Sequence, residues 1–179
     1  MPFLRVTSRS LWLSLRFKIV DMQFAQHANA DAVVELQRSE FLISTDPARL
    51  DLNMIHGFLT NCYWAKGIPR GVVARSIEHS LCFGVYDDAG AQVGFARVIS
   101  DYATFAYIAD VFVLESHRGR GLGKELMGCI KQHPSLQGLR RWNLSTKDAH
   151  GLYSPYGFAP LTWPERYMEI FRPNMYESD

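Results

Sequence analysis

Arg118-Gly119-Arg120-Gly121-Leu122-Gly123-Lys124 places three glycines and three cations within seven residues. An apolar run, residues 105–114, precedes this stretch, and an amphipathic segment, residues 122–130, follows it. The pattern indicates a corner where a strand ends and a helix begins. The first N–H groups of such a helix lack partners, and its dipole favours an anion. Because glycine lets a phosphate approach the backbone and the cations add positive charge, the stretch predicts a site for a phosphate-bearing ligand.

Two common phosphate-binding loops are excluded by the spacing. The mononucleotide loop requires Gly-x-x-x-x-Gly-Lys-Ser/Thr, but Glu125 follows Gly123-Lys124 and supplies no hydroxyl for magnesium. The dinucleotide fingerprint requires Gly-x-Gly-x-x-Gly, but from either of the first two glycines the last position holds Lys124 or Leu126. Another phosphate-bearing ligand is therefore expected.

Length and composition predict one compact domain in a reducing compartment. The chain has 179 residues, of which 47% are hydrophobic, and a formal net charge of +1, which argues against a large nucleic-acid footprint. Cys62, Cys82 and Cys129 are odd in number and form no Cys-x-x-Cys pair, so we expect neither a disulfide framework nor a zinc site. No apolar run approaches the length of a membrane span. A cytoplasmic protein without a bound metal is the simplest expectation.

The N-terminal region differs from the rest. Residues 1–20 carry four basic residues and no acid, whereas the remainder has 15 basic (19 − 4) and 18 acidic residues. This segment reads either as an amphipathic targeting or membrane-surface helix or, more simply, as a disordered extension. We divide the chain into a basic extension, residues 1–38, and a domain, residues 39–179.

Periodicity and turn residues predict a mixed α/β layer fold. The predicted helices are residues 50–64, 69–77, 122 to about 133, and 148–153. The predicted strands are residues 81–86, 91–99, 105–114, 139–145 and 167–171, with the first two forming a hairpin.

Two motifs resemble those of the GNAT superfamily of N-acetyltransferases. Arg118, Gly121 and Gly123 match its acetyl-CoA signature Arg-x-x-Gly-x-Gly, directly after an apolar strand such as the family's fourth. Residues 149–158 resemble its closing Ala-x-x-Leu-Tyr-x-x-x-Gly-Phe. The resemblance covers about residues 42–171. It implies a mixed, mostly antiparallel sheet with a splayed central strand pair and flanking helices.

The resemblance also implies where acetyl-CoA binds. In the family the CoA pyrophosphate lies on the loop amides and the pantetheine arm follows the splayed strand, while a strand N–H polarises the thioester carbonyl, here that of Val113. Relatives often use an asparagine seven residues before the tyrosine of the closing motif, where this chain has Thr146, whose hydroxyl can still donate a hydrogen bond. The implied acetyl-CoA residues are Phe112, Val113, Leu114, Arg118, Gly119, Arg120, Gly121, Leu122, Gly123, Lys124 and Thr146.

Direct acetyl transfer to an amine needs an acid and a base but no cysteine nucleophile. Tyr153, four residues before Gly157, occupies the position of the family's general acid. A phenol stays protonated at neutral pH and can protonate the departing sulfur. Asp110 is the candidate base on the apolar strand. The equal alternative is that Asp110 is a structural residue and that a chain of water molecules acts as the base. Tyr63, Trp64 and Arg75 are candidates for the acceptor pocket, or else core aromatics and a surface charge.

The expected function is acetyl-CoA-dependent N-acetylation of a small-molecule or protein amine. The alternatives are a non-catalytic acetyl-CoA sensor, a protein-interaction domain that has lost CoA, and transfer of a longer acyl group. The family often forms homodimers, although nothing in this sequence identifies an interface. The sequence does not name the acceptor.

Overall fold

A six-stranded sheet with the order β1-β2-β3-β4-β5-β6 forms the centre of the protein. The computed structural model describes residues 33–176, so the predictions for residues 1–32 lie outside the described residues. The strands are β1 (Glu35–Arg38), β2 (Phe41–Ser44), β3 (Leu81–Tyr86), β4 (Gln92–Ser100), β5 (Phe105–Val113) and β6 (Arg141–Asn143). The helices are α1 (Leu52–Leu59), α2 (Arg70–Glu78), α3 (Leu122–Gln132) and α4 (His150–Tyr153).

The strand pairing leaves an opening beside β5. All neighbouring strands are antiparallel except β5 and β6, which run parallel. These two strands pair over only three residues, from Phe105↔Arg141 to Tyr107↔Asn143. Beyond Tyr107 they diverge, so the second half of β5 has a sheet neighbour on one edge only. The splayed strand pair and the mixed, mostly antiparallel α/β sheet expected from the resemblance are confirmed.

The first hairpin corrects the predicted domain boundary. β1 and β2 pair in antiparallel register through a tight turn in which Ser39 has a φ of 51°. The boundary drawn between residues 38 and 39 cuts this hairpin, so residues 35–38 belong to the sheet. These strands were missed because each is only four residues long and Gln37 and Arg38 interrupt the apolar pattern.

Two apolar cores lie on opposite faces of the sheet. The first core packs α3, through Leu126 and Ile130, against the central strands. The second packs α1 and α2 against the other face, with Phe95 and Phe112 at its centre. Since strand side chains alternate between faces, the near-continuous apolar sequences of β3 and β4 fill both cores.

The predicted helices are present but their ends differ. Asp51 caps α1, its carboxylate accepting from the N–H groups of Asn53 and Met54. α1 ends at Leu59, five residues earlier than predicted, and turns lead from there to α2. Within residues 33–176, no helix is long and apolar enough to cross a membrane.

The predicted last strand, residues 167–171, is wrong. The segment has no strand pairing and leaves Met168 98% and Ile170 93% exposed. An alternating apolar sequence becomes a strand only where an edge receives its hydrogen bonds. Instead, residues 170–176 run along the opening beside β5.

Candidate functional site

A cleft of about 1190 Å³ begins at the glycine stretch and continues into the opening between β5 and β6. Its walls come mainly from five places in the chain: the segment between α1 and α2, β5, the glycine stretch with the start of α3, the segment from β6 to α4, and residues 170–176. Phe58 of α1 and Arg97 of β4 also line it. The motifs that carried the resemblance therefore face one another across a single space.

The glycine stretch forms the predicted corner. Gly119 and Gly121 have φ values of 78° and 82°, and Gly121 is the residue before α3. Such values strain any other residue, which explains why glycine is needed at both positions. Inside α3 the first amide to bond is Lys124 N–H, which donates to the Gly121 carbonyl. The N–H groups of Leu122 and Gly123 precede it and lie at the positive end of the helix dipole.

The three cations of the stretch are not equivalent. Arg118 and Lys124 line the cleft, and Arg118 Nε donates to the Val113 carbonyl at 3.1 Å. Arg120 instead lies outside the cleft lining, with its guanidinium 3.7 Å from a Glu40 carboxylate oxygen and over the Phe41 ring. The assignment of Arg120 to the ligand site is therefore not supported by its position, because the β1–β2 hairpin engages it.

The backbone of β5 faces alternately towards β4 and towards the opening. Leu114 N–H donates to the Val93 carbonyl at 2.8 Å, and Gly94 lies opposite Val113. Because hydrogen-bonding directions alternate along an antiparallel strand, the polar groups of Val113 and Val111 face the opening, whereas those of Phe112 and Leu114 face β4.

Only part of the predicted pantetheine edge is therefore available. Val113 keeps its expected position. Phe112 lines the cleft through its side chain, stacked on Phe58 with ring centroids 3.8 Å apart, and Leu114 does not line it. Val111 does line the cleft and was missed, because the strand irregularity that sets this alternation is not visible in the sequence.

That irregularity is a bulge at Asp110. Phe95 lies opposite Phe112 and Arg97 opposite Ala109, so Ala96 faces two residues of β5, Asp110 and Val111. Asp110 has a φ of 53°, which is uncommon for a residue other than glycine. The bulge places the Asp110 side chain on the face of the second core.

The Asp110 carboxylate is bound on both sides. Oδ2 accepts from Arg97 Nε at 2.5 Å, and Oδ1 accepts from the indole N–H of Trp64 at 3.3 Å. The side chains of Asp110 and Arg97 are 11% and 18% exposed. Asp110 therefore lines the cleft as a member of an ion pair, and to accept a proton it would have to loosen one of these contacts.

Tyr153 lines the cleft. It is buried, and its ring meets Phe158 edge-on at 6.1 Å. Burial, reinforced by the nearby Tyr63, Asp148 and Tyr107, raises the pKa of Tyr153 to about 12. The phenol is therefore protonated throughout the neutral range and can act as a proton donor.

Two further tyrosines approach the same space. Burial and the negative charge of Asp110 raise the pKa of Tyr107, whose hydroxyl contacts the Ser145 backbone. Tyr63 and Lys147 meet across the cleft: Lys147 N–H donates to the Tyr63 hydroxyl at 3.3 Å, and its ammonium lies 5.7 Å from the ring centroid. Arg97, Tyr107 and Lys147 were missed by sequence reasoning, although Arg97 stands out as the one charge within the apolar β4.

The remaining predicted residues divide between the cleft and the surface. Thr146 lines the cleft, with Oγ1 accepting from Ala149 N–H at 3.0 Å, and its hydroxyl proton can still be donated. Tyr63 and Trp64 also line it, whereas Arg75 lies exposed on α2, outside the lining.

Comparison with known proteins identifies the family. The acetyltransferase (GNAT) domain profile matches residues 78–160. A candidate acetyltransferase of Gibberella zeae is 32% identical over 65% of this chain and 77% of its own. A candidate GNAT-family acetyltransferase from Xanthomonas campestris pv. campestris, known from its crystal structure, is 54% identical, with a TM-score of 0.76 over 79% of this chain and 100% of that one.

A more distant structure shares the fold alone. It is that of a candidate acetyltransferase with acetyl-CoA from Clostridium acetobutylicum, 12% identical, with a TM-score of 0.54 over 73% of this chain and 94% of that one. The splayed strand pair, with a cleft at its opening, is the architecture that these acetyltransferases share. The chain belongs to the GNAT superfamily of acetyltransferases.

Proposed function

We propose that this protein is an acetyl-CoA-dependent N-acetyltransferase that transfers an acetyl group directly to a primary amine of a small molecule or protein. The observation that carries the proposal is the position of Tyr153 in the cleft that joins the glycine loop to the open edge of β5. A module that only senses acetyl-CoA would need the loop and the edge. It would have no use for a buried phenol in the lining of the same cleft.

The described residues fit acetyl-CoA. The loop amides, Arg118 and Lys124 offer positive charge to the phosphates, and an added Cβ at Gly119 or Gly121 would meet no protein atom within 4 Å. The free edge at Val111 and Val113 suits the amide-bearing pantetheine arm, which can bind as an added strand would. The cleft volume exceeds the 300–1,000 Å³ or so typical of one small-molecule pocket, as a long co-substrate plus an acceptor requires. A relative of the same fold is named with acetyl-CoA.

Acetyl-CoA supplies an acetyl group already activated as a thioester. In the reaction, the amine nitrogen forms a bond to the acetyl carbon and the carbon–sulfur bond breaks. The Val113 N–H is the group placed to stabilise negative charge on the carbonyl oxygen. The amine attacks in its neutral form, having first lost any extra proton to solvent. Tyr153 gives its proton to the sulfur, and the proton that the amine nitrogen then loses to the base restores Tyr153 by way of solvent, so charge and protons balance.

The amine proton has two candidate acceptors, Asp110 and a chain of water. Asp110 is held by Arg97 and Trp64, so a base role requires rearrangement of those contacts. Water needs no such change. We therefore assign the acid to Tyr153 and leave the base to the experiment with Asp110 variants below.

The test combines acetyl-CoA binding with a screen of amines. Titration calorimetry with acetyl-CoA should give saturable binding, and release of free CoA thiol should depend on one class among amino acids, amino sugars, polyamines and N-terminal peptides. Binding without turnover of any amine would favour the sensor. An absence of binding would refute the proposal. Acetyl-, propionyl- and butyryl-CoA in parallel would measure the acyl-chain preference.

We also place this protein in a reducing, cytoplasmic setting. Cys62, Cys82 and Cys129 are all free thiols in the structure. Homodimer formation, common in the family, remains a prediction that size-exclusion chromatography with light scattering would test.

A further inference from the structure

Arg97, Asp110 and Trp64 all line the cleft and join three separate elements. Arg97 lies on β4, Asp110 forms the bulge of β5, and Trp64 belongs to the segment between α1 and α2. The carboxylate accepts from both of the other side chains, and Arg97 also donates from an Nη to Ser80 Oγ at 3.4 Å. We call Arg97, Asp110 and Trp64 the bulge network.

The backbone at Asp110 is strained, and the bulge network holds it in that conformation. A non-glycine residue at a φ of 53° persists only where its surroundings determine its conformation. Here the nearly buried ion pair fixes the side chain from β4, and the indole fixes it from the opposite wall. The two contacts hold Asp110 where glycine would otherwise be the natural choice.

The bulge decides which groups of β5 meet the opening. Ile108 packs in the first core, and beyond the bulge Val111 and Val113 pack against the same core. If Asp110 took a regular strand conformation instead, simple alternation from Ile108 would turn Val111 and Val113 to the other face and reverse the direction of their N–H groups. The position of the Val113 N–H therefore depends on the conformation of Asp110.

The network also fixes one wall of the acceptor pocket. Trp64 is 43% exposed, and its ring borders the cleft beside Tyr63, with ring centroids 4.9 Å apart. The hydrogen bond from the indole to Asp110 ties this exposed ring to the sheet. An acceptor entering between Trp64 and Tyr153 would meet a pre-positioned aromatic surface instead of a mobile side chain.

We propose that Arg97 and Asp110 are positioning residues, which hold the bulge of β5 and the Trp64 wall of the acceptor pocket, and that Asp110 is not the general base. This inference rests on the proposed function for the identity of the cleft as an acetyl-transfer site. It gives Arg97 a role that the sequence did not suggest, and it adds a hydrogen bond to Asp110 to the predicted place of Trp64 in the acceptor pocket.

A double-substitution cycle separates positioning from proton transfer. Arg97→Gln and Asp110→Asn each leave the charge of the partner without a counter-charge, whereas the double variant places an amide pair in the same space. We expect each single variant to lower kcat/KM for the amine about tenfold, mainly through KM, and the double variant to recover to within about threefold of wild type. The KM for acetyl-CoA should change less than the KM for the amine. A double variant as impaired as Asp110→Asn would overturn the proposal, because the carboxylate itself would be required.

The pH profile gives a second reading of the same variants. If Asp110 only positions other groups, kcat/KM of the double variant should fall on the acidic side of the profile at the same pH as kcat/KM of wild type. A general base at Asp110 would instead make that limb disappear, which would also overturn the proposal. The matched control is the exposed pair Arg49–Glu35, whose Arg49→Gln and Glu35→Gln variants make the same charge changes away from the cleft.

Trp64 supplies a readout that needs no acceptor. In a Trp12→Phe, Trp142→Phe, Trp163→Phe background, Arg97→Gln should shift the Trp64 emission to longer wavelength, and adding Asp110→Asn should reverse the shift. An unchanged spectrum in Arg97→Gln would overturn the network. Because this measurement uses no acetyl-CoA, it still decides the matter if wild type proves inactive, a result that would refute only the proposed function.

Trp64→Phe tests the wall directly and changes only a partly exposed residue. It keeps an aromatic ring but removes the N–H donor, so the KM for the amine should rise several-fold while the KM for acetyl-CoA stays constant. An unchanged amine KM would overturn the role of Trp64.

Discussion

Arg118 Nε lies 3.1 Å from the carbonyl oxygen of Val113, so the first cation of the glycine loop binds the open end of the strand before it. The contact satisfies a carbonyl that no neighbouring strand reaches. It also holds the guanidinium in the cleft lining, beside the loop that we propose binds the phosphates of acetyl-CoA. The ligand loop and the strand edge are thus fixed relative to each other by one side chain.

The two arginines of the loop should differ in their effect on acetyl-CoA binding. We expect Arg118→Gln to weaken binding about tenfold and to lessen its salt dependence, because a phosphate-facing charge is lost. Arg120→Gln is the matched control and should change the Kd less than twofold, since Arg120 faces Glu40 and Phe41. Calorimetry at two salt concentrations measures both. Equal losses in the two variants would contradict the distinction drawn from the structure.

Tyr153→Phe should remove the proton donor without removing the site. General acids contribute about 10²–10⁴-fold, so we expect kcat to fall at least a hundredfold or so, with the Kd for acetyl-CoA nearly unchanged. Since the pKa of Tyr153 is raised to about 12, wild type should show no loss of kcat from this group below about pH 11. Turnover at the wild-type rate in Tyr153→Phe would rule out the acid role.

Gly121→Ala should destabilise both the fold and the complex. Its φ of 82° costs about 1–2 kcal/mol for a residue with a Cβ, although the added methyl meets no protein atom within 4 Å. We expect a lower Tm and weaker acetyl-CoA binding. Gly128→Ala, inside α3, is the control and should raise stability by roughly 0.5–1 kcal/mol. Equal Tm values for Gly121→Ala and Gly128→Ala would show that the loop backbone is not strained at Gly121.

His133 should make the protein less stable in mild acid. It is 2% exposed, its Nδ1 accepts from Ser135 N–H at 3.3 Å, and burial lowers its pKa from 6.5 to about 4. Between pH 6.5 and 4 this histidine is protonated in the unfolded chain but neutral in the folded protein. The free energy of unfolding therefore falls as the pH drops from 6.5 towards 4. At pH 5 the loss attributable to this group is about 2 kcal/mol.

Urea melts of wild type and His133→Asn at pH 7.5 and 5.0 measure this loss. Asparagine can still accept the Ser135 N–H but cannot be charged. The drop in unfolding free energy should therefore be about 2 kcal/mol smaller in the variant, the carboxylates contributing equally to both proteins. Parallel drops would show that His133 is not the acid-sensitive group.

The local elements of the site could be predicted because their signals lie within a few residues. The glycines at positions 119 and 121 accept left-handed φ values, the amphipathic period from Leu122 marks α3, and Tyr153 stands at a fixed distance before Gly157. Each of these depends on backbone conformation or on side chains one turn apart. The sequence by itself therefore determined the strand, the loop, the helix and the family, and it named Tyr153 as the candidate acid.

The remainder depended on partners far apart in the chain. Arg120 turns to Glu40, 80 positions away, and the last predicted strand fails because no sheet edge receives it. From the sequence Asp110 was equally a candidate base or a structural aspartate, and only the fold shows Arg97 and Trp64 bound to its two oxygens. A one-residue bulge then decided which amides face the cleft. The tertiary structure alone decides such features, because the free energy of an ion pair or a strand pairing depends on which distant residues the fold brings into contact.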